Sequence, residues 1–300
     1  MSFDIDRATS FMTGHARLLD RHRFARFTGD ATAGASVLAA LDGYRNPDGG
    51  FGWGLEPDLR APESQPAGAL HALEAIADAA IPTTRTRELL DWLESVTLPD
   101  GGLPFALPIA DPTACAPFWA AADPAESSLQ ITAAVAAQAH RAAHNGQDIA
   151  GHPWLATGTE YCLEAIEGIT EPPFAYVLSF TLRFLDVLSR HDSRALPLID
   201  RLAEFVPADG AVPVAGGAEG ETLRLLDIAP EPDGPVRALF DRHAVESDLD
   251  RVEHGQRPDG GWDVDFTGYS PAARLEWRGY VTVGSVVMLR ANGRTSLGAV

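Results

Sequence analysis

Four Asp-Gly steps, at positions 48, 100, 209 and 259, set the plan of this chain. They sit in Pro47-Asp-Gly-Gly-Phe51, Pro99-Asp-Gly-Gly-Leu103, Ala208-Asp-Gly-Ala211 and Pro258-Asp-Gly-Gly-Trp262. Their separations are 52, 109 and 50 residues, so the middle interval spans two periods with one copy eroded. A repeat of this length denotes one supersecondary unit used several times, each burying its apolar face against the next.

Between the turns, apolar residues recur at three- and four-residue steps, the period of a helix with one buried face. Residues 5–27 carry Ile5, Phe11, Met12, Leu18, Leu19, Phe24 and Phe27 in this pattern. A second helix, 31–45, stops at Asn46-Pro47, because proline cannot continue the ladder. The spacing predicts further helices over 62–80, 84–96, 124–144, 153–168, 174–190, 193–206, 244–255 and 271–292. No alternating strand pattern competes with them. Residues 211–234, rich in Gly and Pro, are irregular and read as a lid or plug.

Within each unit the first helix is amphipathic and charged (85–94, 194–204, 245–253), and the second is apolar nearly all round (67–80, 129–139, 280–289). A helix apolar on every side is buried. The expected fold is therefore all-α: an α/α toroid (barrel) of five to six helical hairpins with inner and outer helix rings, one domain over 1–300. In the repeated turns glycine supplies the positive φ that leaves the outer helix, so the Asp-Gly steps are structural.

Asp and Glu number 42 against 23 Lys and Arg, a net charge of -19, which argues against binding nucleic acid or an anionic membrane through bulk charge. The two cysteines, Cys115 and Cys162, form no Cys-x-x-Cys pair and no disulfide framework. The first seven residues lack the basic and apolar regions of a secretory signal, and no window is long and apolar enough to span a bilayer. The chain reads as cytoplasmic. Phosphate loops, dinucleotide-binding turns, a Gly-x-Ser-x-Gly elbow and His-Glu-x-x-His are all absent.

Gln256-Arg-Pro-Asp-Gly-Gly-Trp262 resembles the QW repeat of squalene-hopene and oxidosqualene cyclases. Pro47-Asp-Gly-Gly-Phe-Gly-Trp-Gly54, followed by Ala61-Pro and an Ala-rich helix, resembles repeats of the same cyclases and of protein prenyltransferase β subunits. The resemblance covers most of the chain and implies a toroid with an isoprenoid-sized cavity. It also implies an enzyme of class II type, in which the middle Asp of an Asp-x-Asp-Asp motif protonates an isoprenoid and starts its cyclisation. That triplet is missing here; Asp263-Val-Asp-Phe-Thr267 keeps two acids, which puts Asp263 and Asp265 forward. Asp111-Pro-Thr-Ala-Cys115, ending in Phe118-Trp119, resembles the zinc-binding Asp-x-Cys segment of the prenyltransferases with a longer spacing. Its third ligand would come from His140, His152 or His243, but an ordinary loop thiol explains it as well.

Read directly, four predicted inner helices begin with a Glu: Glu63, Glu126, Glu171 and Glu276. They would ring one end of the cavity, although acids are common in first turns because they complement the helix dipole. The loop Leu55-Glu-Pro-Asp-Leu-Arg60 adds Glu56, Asp58 and Arg60 beside Trp53. The candidate proton donors are Asp265, Asp263, Asp58, Glu63 and Glu276. Arg60 and Arg278 are placed to grip a diphosphate or carboxylate, or to pair with neighbouring acids. Trp53, Phe118, Trp119, Phe174, Tyr176, Trp262, Phe266, Trp277 and Tyr280 would line the site, where ring faces stabilise a carbocation by about 0.5–2 kcal/mol each, or would simply be core. No cofactor is firmly implied; a diphosphate substrate would bring Mg2+ with it. The alternatives are a non-catalytic toroid that binds an isoprenoid, a lipid or a protein partner, and a glycan-active barrel with two carboxylates about 5–9.5 Å apart.

Overall fold

The computed structural model describes residues 2–296; Met1 and residues 297–300, the ends of the expected 1–300 domain, lie outside the described residues. Within them the chain is all-α. Its helices are α1 (Ile5–His15), α2 (Leu18–Thr28), α3 (Gly34–Leu41), α4 (Pro66–Ala79), α5 (Arg85–Val96), α6 (Pro117–Ala120), α7 (Leu129–His144), α8 (Pro153–Glu167), α9 (Ala175–Leu188), α10 (Ala195–Ala203), α11 (Leu225–Ile228), α12 (Arg242–His254) and α13 (Pro271–Ala291). Proline opens α4, α8 and α13, where its missing N–H costs nothing. Side-chain oxygens cap other starts: Asp4 accepts from Asp6 and Arg7, and Asp241 from Ala244. Among the described residues no helix is long and apolar enough to cross a membrane.

Four expectations shift. The helix expected over 5–27 breaks at Ala16-Arg17, just after Gly14, and the second piece turns so that Arg17 donates to the Leu55 carbonyl at 2.9 Å and to Asp20 at 2.8 Å. The helix expected from Pro62 begins at Pro66, because the preceding residues pair with the first turn instead: Gln65 N–H donates to the Phe51 carbonyl at 2.9 Å. The helix expected from Pro124 begins at Leu129, after a Ser128 cap. Residues 211–234 hold a short antiparallel ribbon, Val212–Pro213 against Thr222–Leu223, and then α11. Leu225, Leu226 and Ile228 of α11 are buried against α9 and α12, while most of 213–220 is exposed.

The repeated turns share one construction. The first glycine of each has a positive φ: Gly49 93°, Gly101 91°, Gly210 68° and Gly260 96°. The aspartate before it accepts the backbone N–H two residues on: Asp48 from Gly50, Asp100 from Gly102, Asp209 from Ala211 and Asp259 from Gly261. In the three Gly-Gly copies a second bond closes the loop, from Asn46 to Gly50, Leu98 to Gly102 and Arg257 to Gly261. The structure thus accounts for these aspartates as local turn acceptors.

Of the three stretches expected to be buried, those on α4 and α7 are, while 280–289 on α13 buries one face and leaves Gly284 exposed. In α4 every residue but Leu70 is buried; α7 and α9 bury most of their length. α4 packs on α7 and α7 on α9, while α13 packs on both α1 and α2. The first and last units therefore touch. Gln256 clasps Asp4 through two hydrogen bonds, Trp262 packs edge-on against Phe3, and Arg278 lies over the Phe11 ring at 4.5 Å.

Candidate functional site

The buried helices are not apolar all round, and this is the largest departure from the sequence expectation. Polar residues recur at helical spacing on one stripe of each: Asp20 and Arg23 on α2; His71, Glu74 and Asp78 on α4; Gln138 and Arg141 on α7; Arg183 and Asp186 on α9. Residues three, four or seven apart share a helix face. Packing the helices together joins these stripes into a buried charged network.

Its centre is His71, 6 % exposed. One ring nitrogen, Nε2, lies 2.8 Å from Glu56 Oε2; the other, Nδ1, lies 2.9 Å from Glu74 Oε2. Both partners are carboxylates, which only accept, so both nitrogens carry protons and the ring is an imidazolium. Burial opposes that charge, but the hydrogen bonds to Glu56 and Glu74 outweigh it and raise the pKa from 6.5 to about 9. Glu74 shows the reciprocal effect. Burial would raise its pKa, yet the His71 hydrogen bond and the charges of His71 and Arg23 lower it from 4.5 to about 2. Glu74 also accepts from the Tyr280 hydroxyl at 2.9 Å. Burial and the Glu74 charge push the Tyr280 phenol well above its usual range, so it stays a donor.

A second knot lies beside the first. Asp78 takes Arg23 at 2.8 Å on one oxygen and Arg141 at 2.5 Å on the other. Arg23 also faces Asp20 at 3.6 Å and lies over the Tyr280 ring at 5.3 Å. Burial disfavours the guanidinium charge, and Asp78, Glu74 and Asp20 reverse the balance.

Several sequence candidates meet this network. Asp58, 5 % exposed, accepts from the Trp277 indole at 2.7 Å and the Tyr269 backbone at 2.8 Å. Burial raises its pKa, while those two hydrogen bonds pull the other way. Trp277 stands edge-on to Phe266, Tyr280 and His71, at 5.1, 5.4 and 5.8 Å between ring centres. Arg60 pairs with Glu276 at 2.5 Å, so this arginine is committed rather than free for a ligand.

The others fall outside. Asp263 and Asp265 lie on an exposed loop, Asp263 paired with Arg257 and Arg278; neither has the burial expected of a proton donor. Arg278 is further held by Asp259. Glu63 is half-buried and accepts from Ala110; Glu126 and Glu171 are exposed, and Glu276 sits beyond the first turn of α13. Two of the four expected carboxylates are exposed, and α4 and α7 start later than the spacing suggested, which leaves Glu63 and Glu126 in the loops ahead of them. Trp262 is a core residue whose indole donates to Val252. Trp53 is exposed and bonds Asn46; Phe118 is exposed beside the buried Trp119, which stacks on Phe105. Phe174 is exposed, and Tyr176 donates to Glu221.

The zinc expectation has no geometry behind it. Asp111 folds back on Thr113, and the backbone at Cys115 pairs with Leu59. His140 bonds Thr159, and burial then His191 lower its pKa to about 4. Among the described residues Asp91, Glu94 and His152 have metal-ligand spacing. His152 Nδ1, however, accepts from Trp154 N–H at the start of α8, so Nε2 carries the proton and donates to exposed Asp91 at 3.0 Å. This is a helix cap, not a ligand lone pair.

The network borders one cavity of about 220 Å³. α2, α4, α7, α9 and α13 all supply its lining from their second halves. Its lining mixes charged residues (Arg23, Arg141, Arg183, Glu74, Asp78 and Asp186) with apolar ones (Phe27, Val187, Val283, Val287 and Met288). Exposed Glu231 and Ala291 mark its mouth. No protein-family model matches this chain, and no curated protein matches it in sequence.

The network makes stability depend on pH. A raised His71 pKa gives stability that is full below 6.5 and is lost as pH rises through 9; a lowered Glu74 pKa gives stability that is full above 4.5 and is lost as pH falls toward 2. The contribution is greatest between pH 4.5 and 6.5. Urea unfolding between pH 6.5 and 9 is expected to show a fall of about 3 kcal/mol as His71 loses its proton. A His71→Gln variant should lack that slope.

Proposed function

We propose that this chain is an α/α toroid of terpenoid-cyclase type that binds a short isoprenoid or lipid-like molecule without converting it. The observation that carries the reading is the cavity: five helices converge on it, and much of its lining is apolar. The repeated turns and the contact between the first and last units support the toroid. At about 220 Å³ the cavity is smaller than the usual ligand site of about 300–1,000 Å³, so the occupant is a short chain rather than a squalene-sized one.

Protonation-initiated cyclisation is a second reading, and buried Asp58 beside Trp277 and Phe266 favours it. It carries less. Both Asp58 oxygens accept N–H bonds, and Asp58 does not line the cavity. A cyclase needs its acid proton aimed at the substrate.

The readings separate by calorimetry and product analysis. Geraniol is expected to bind saturably and squalene not at all. Geranyl, farnesyl and geranylgeranyl diphosphates and squalene are expected to be recovered unchanged by mass spectrometry. A cyclised product that disappears in Asp58→Asn would replace the binding reading with the catalytic one.

A further inference from the structure

We propose that the cavity's ligand is a monoanion, an apolar molecule ending in a carboxylate, and that Arg183 is its docking partner. This rests on the binding reading above and names the chemistry of the molecule bound.

Three arginines border the cavity, but only one is free. Arg23 is held by Asp78 and Asp20, and Arg141 by Asp78 and Gln138. Arg183, on α9, is half-buried and lines the cavity, yet among the described residues it makes no hydrogen bond and no ion pair. A partly exposed guanidinium at the edge of a cavity, with no carboxylate of its own, is open to a bound anion. Its planar fork matches a carboxylate through two parallel N–H···O bonds.

The charge present also limits the anion. Glu74, Asp78, Asp186 and Glu231 border the same space. Glu74 is already met by His71 and Tyr280, and Asp78 by its two arginines. Asp186 accepts only the Val236 N–H and Glu231 is exposed at the mouth, so the lining holds four acids against three arginines. Arg183, the one guanidinium there without an ion pair among the described residues, can meet one carboxylate; the several charges of a diphosphate would face the acids with no further cation to offset them. The apolar lining residues, with Val187 on the same helix as Arg183 and Val283 and Val287 on α13, suit a hydrocarbon tail beside the acid group.

The test titrates the full chain calorimetrically with geranic acid, geraniol and geranyl diphosphate at neutral pH. The acid is expected to bind about tenfold more tightly than the alcohol, and the diphosphate more weakly than the acid. In Arg183→Gln the acid's advantage should vanish with geraniol affinity unchanged; Arg183→Lys, which keeps charge but loses the fork, should retain part of it. Arg183 has no partner to lose, so both variants are expected to fold, and the wild-type comparison decides even if they do not. Equal affinity for acid and alcohol, a diphosphate that binds best, or an advantage that survives Arg183→Gln overturns the monoanion proposal while leaving the binding reading in place. Failure of all three probes to bind removes both.

Discussion

Replacing His71 with leucine is expected to lower the unfolding free energy by about 3–5 kcal/mol, the range for breaking one partner out of a buried ion pair. The change removes both N–H donors at once. Glu56 and Glu74 are 7 % exposed each, and without the imidazolium they face each other across an apolar gap. Glu74 keeps the Tyr280 hydroxyl and the more distant fields of Arg23 and Arg183. The cost belongs mainly to those two stranded charges. Replacing all three residues, as Glu56→Gln, His71→Leu and Glu74→Gln together, should therefore be less destabilising than His71→Leu alone. Denaturant unfolding of both variants reads this directly. If the triple variant is the worse, the network is held by its pairwise attraction and not by the penalty of unpaired burial.

Gly260→Ala is the second large effect, about 2–4 kcal/mol. Gly260 has φ 96°, which an alanine adopts only under strain. An added Cβ would also lie 2.1 Å from the Arg7 carbonyl oxygen, a backbone atom that cannot swing aside. Two penalties fall on one methyl group, and they fall where the last unit meets the first helix. The equivalent change at Gly101, with φ 91° but 3.2 Å to the Thr157 methyl, carries the strain without the backbone clash. Thermal unfolding should rank Gly260→Ala well below Gly101→Ala. Equal losses would mean that the junction between α1 and the last turn adds nothing beyond the turn itself.

Much of this fold was legible because the repeated turns are local. A positive-φ glycine and an aspartate that caps its own loop are written in adjacent residues, and all four copies behave alike. Helix positions followed from apolar spacing for the same reason. Starts were read less well: Pro62 and Pro124 look like first-turn prolines, but pairing of Gln65 with Phe51, and of Ser128 with Leu103, delays each helix by several residues. That competition is tertiary and leaves no local mark. In the candidate site, Glu56, Asp58, Phe266, Trp277 and Tyr280 were found because charge is dense beside aromatics. Asp263 and Asp265 were put forward by likeness to a motif whose third acid is missing, and their loop is exposed. His71, Glu74, Asp78, Arg23, Arg141 and Arg183 were missed. The signal existed: His71, Glu74 and Asp78 share one face of α4. Alanine on every other side hid it, since a helix rich in apolar residues can still gather its few polar ones on a single stripe.

The most direct test blocks the cavity and leaves the network alone. Gly284 lines the cavity from α13, and a Cβ there meets nothing within 4 Å. Gly284 is exposed at the cavity's edge, so a Gly284→Leu side chain is expected to extend over the opening, and replacing a helical glycine should hold or raise stability. Geraniol titrated into this variant is expected to bind at least about tenfold more weakly than to the wild-type chain, with an unchanged or higher unfolding midpoint. Unaltered affinity in a folded Gly284→Leu chain would contradict the claim that this cavity is where the ligand sits.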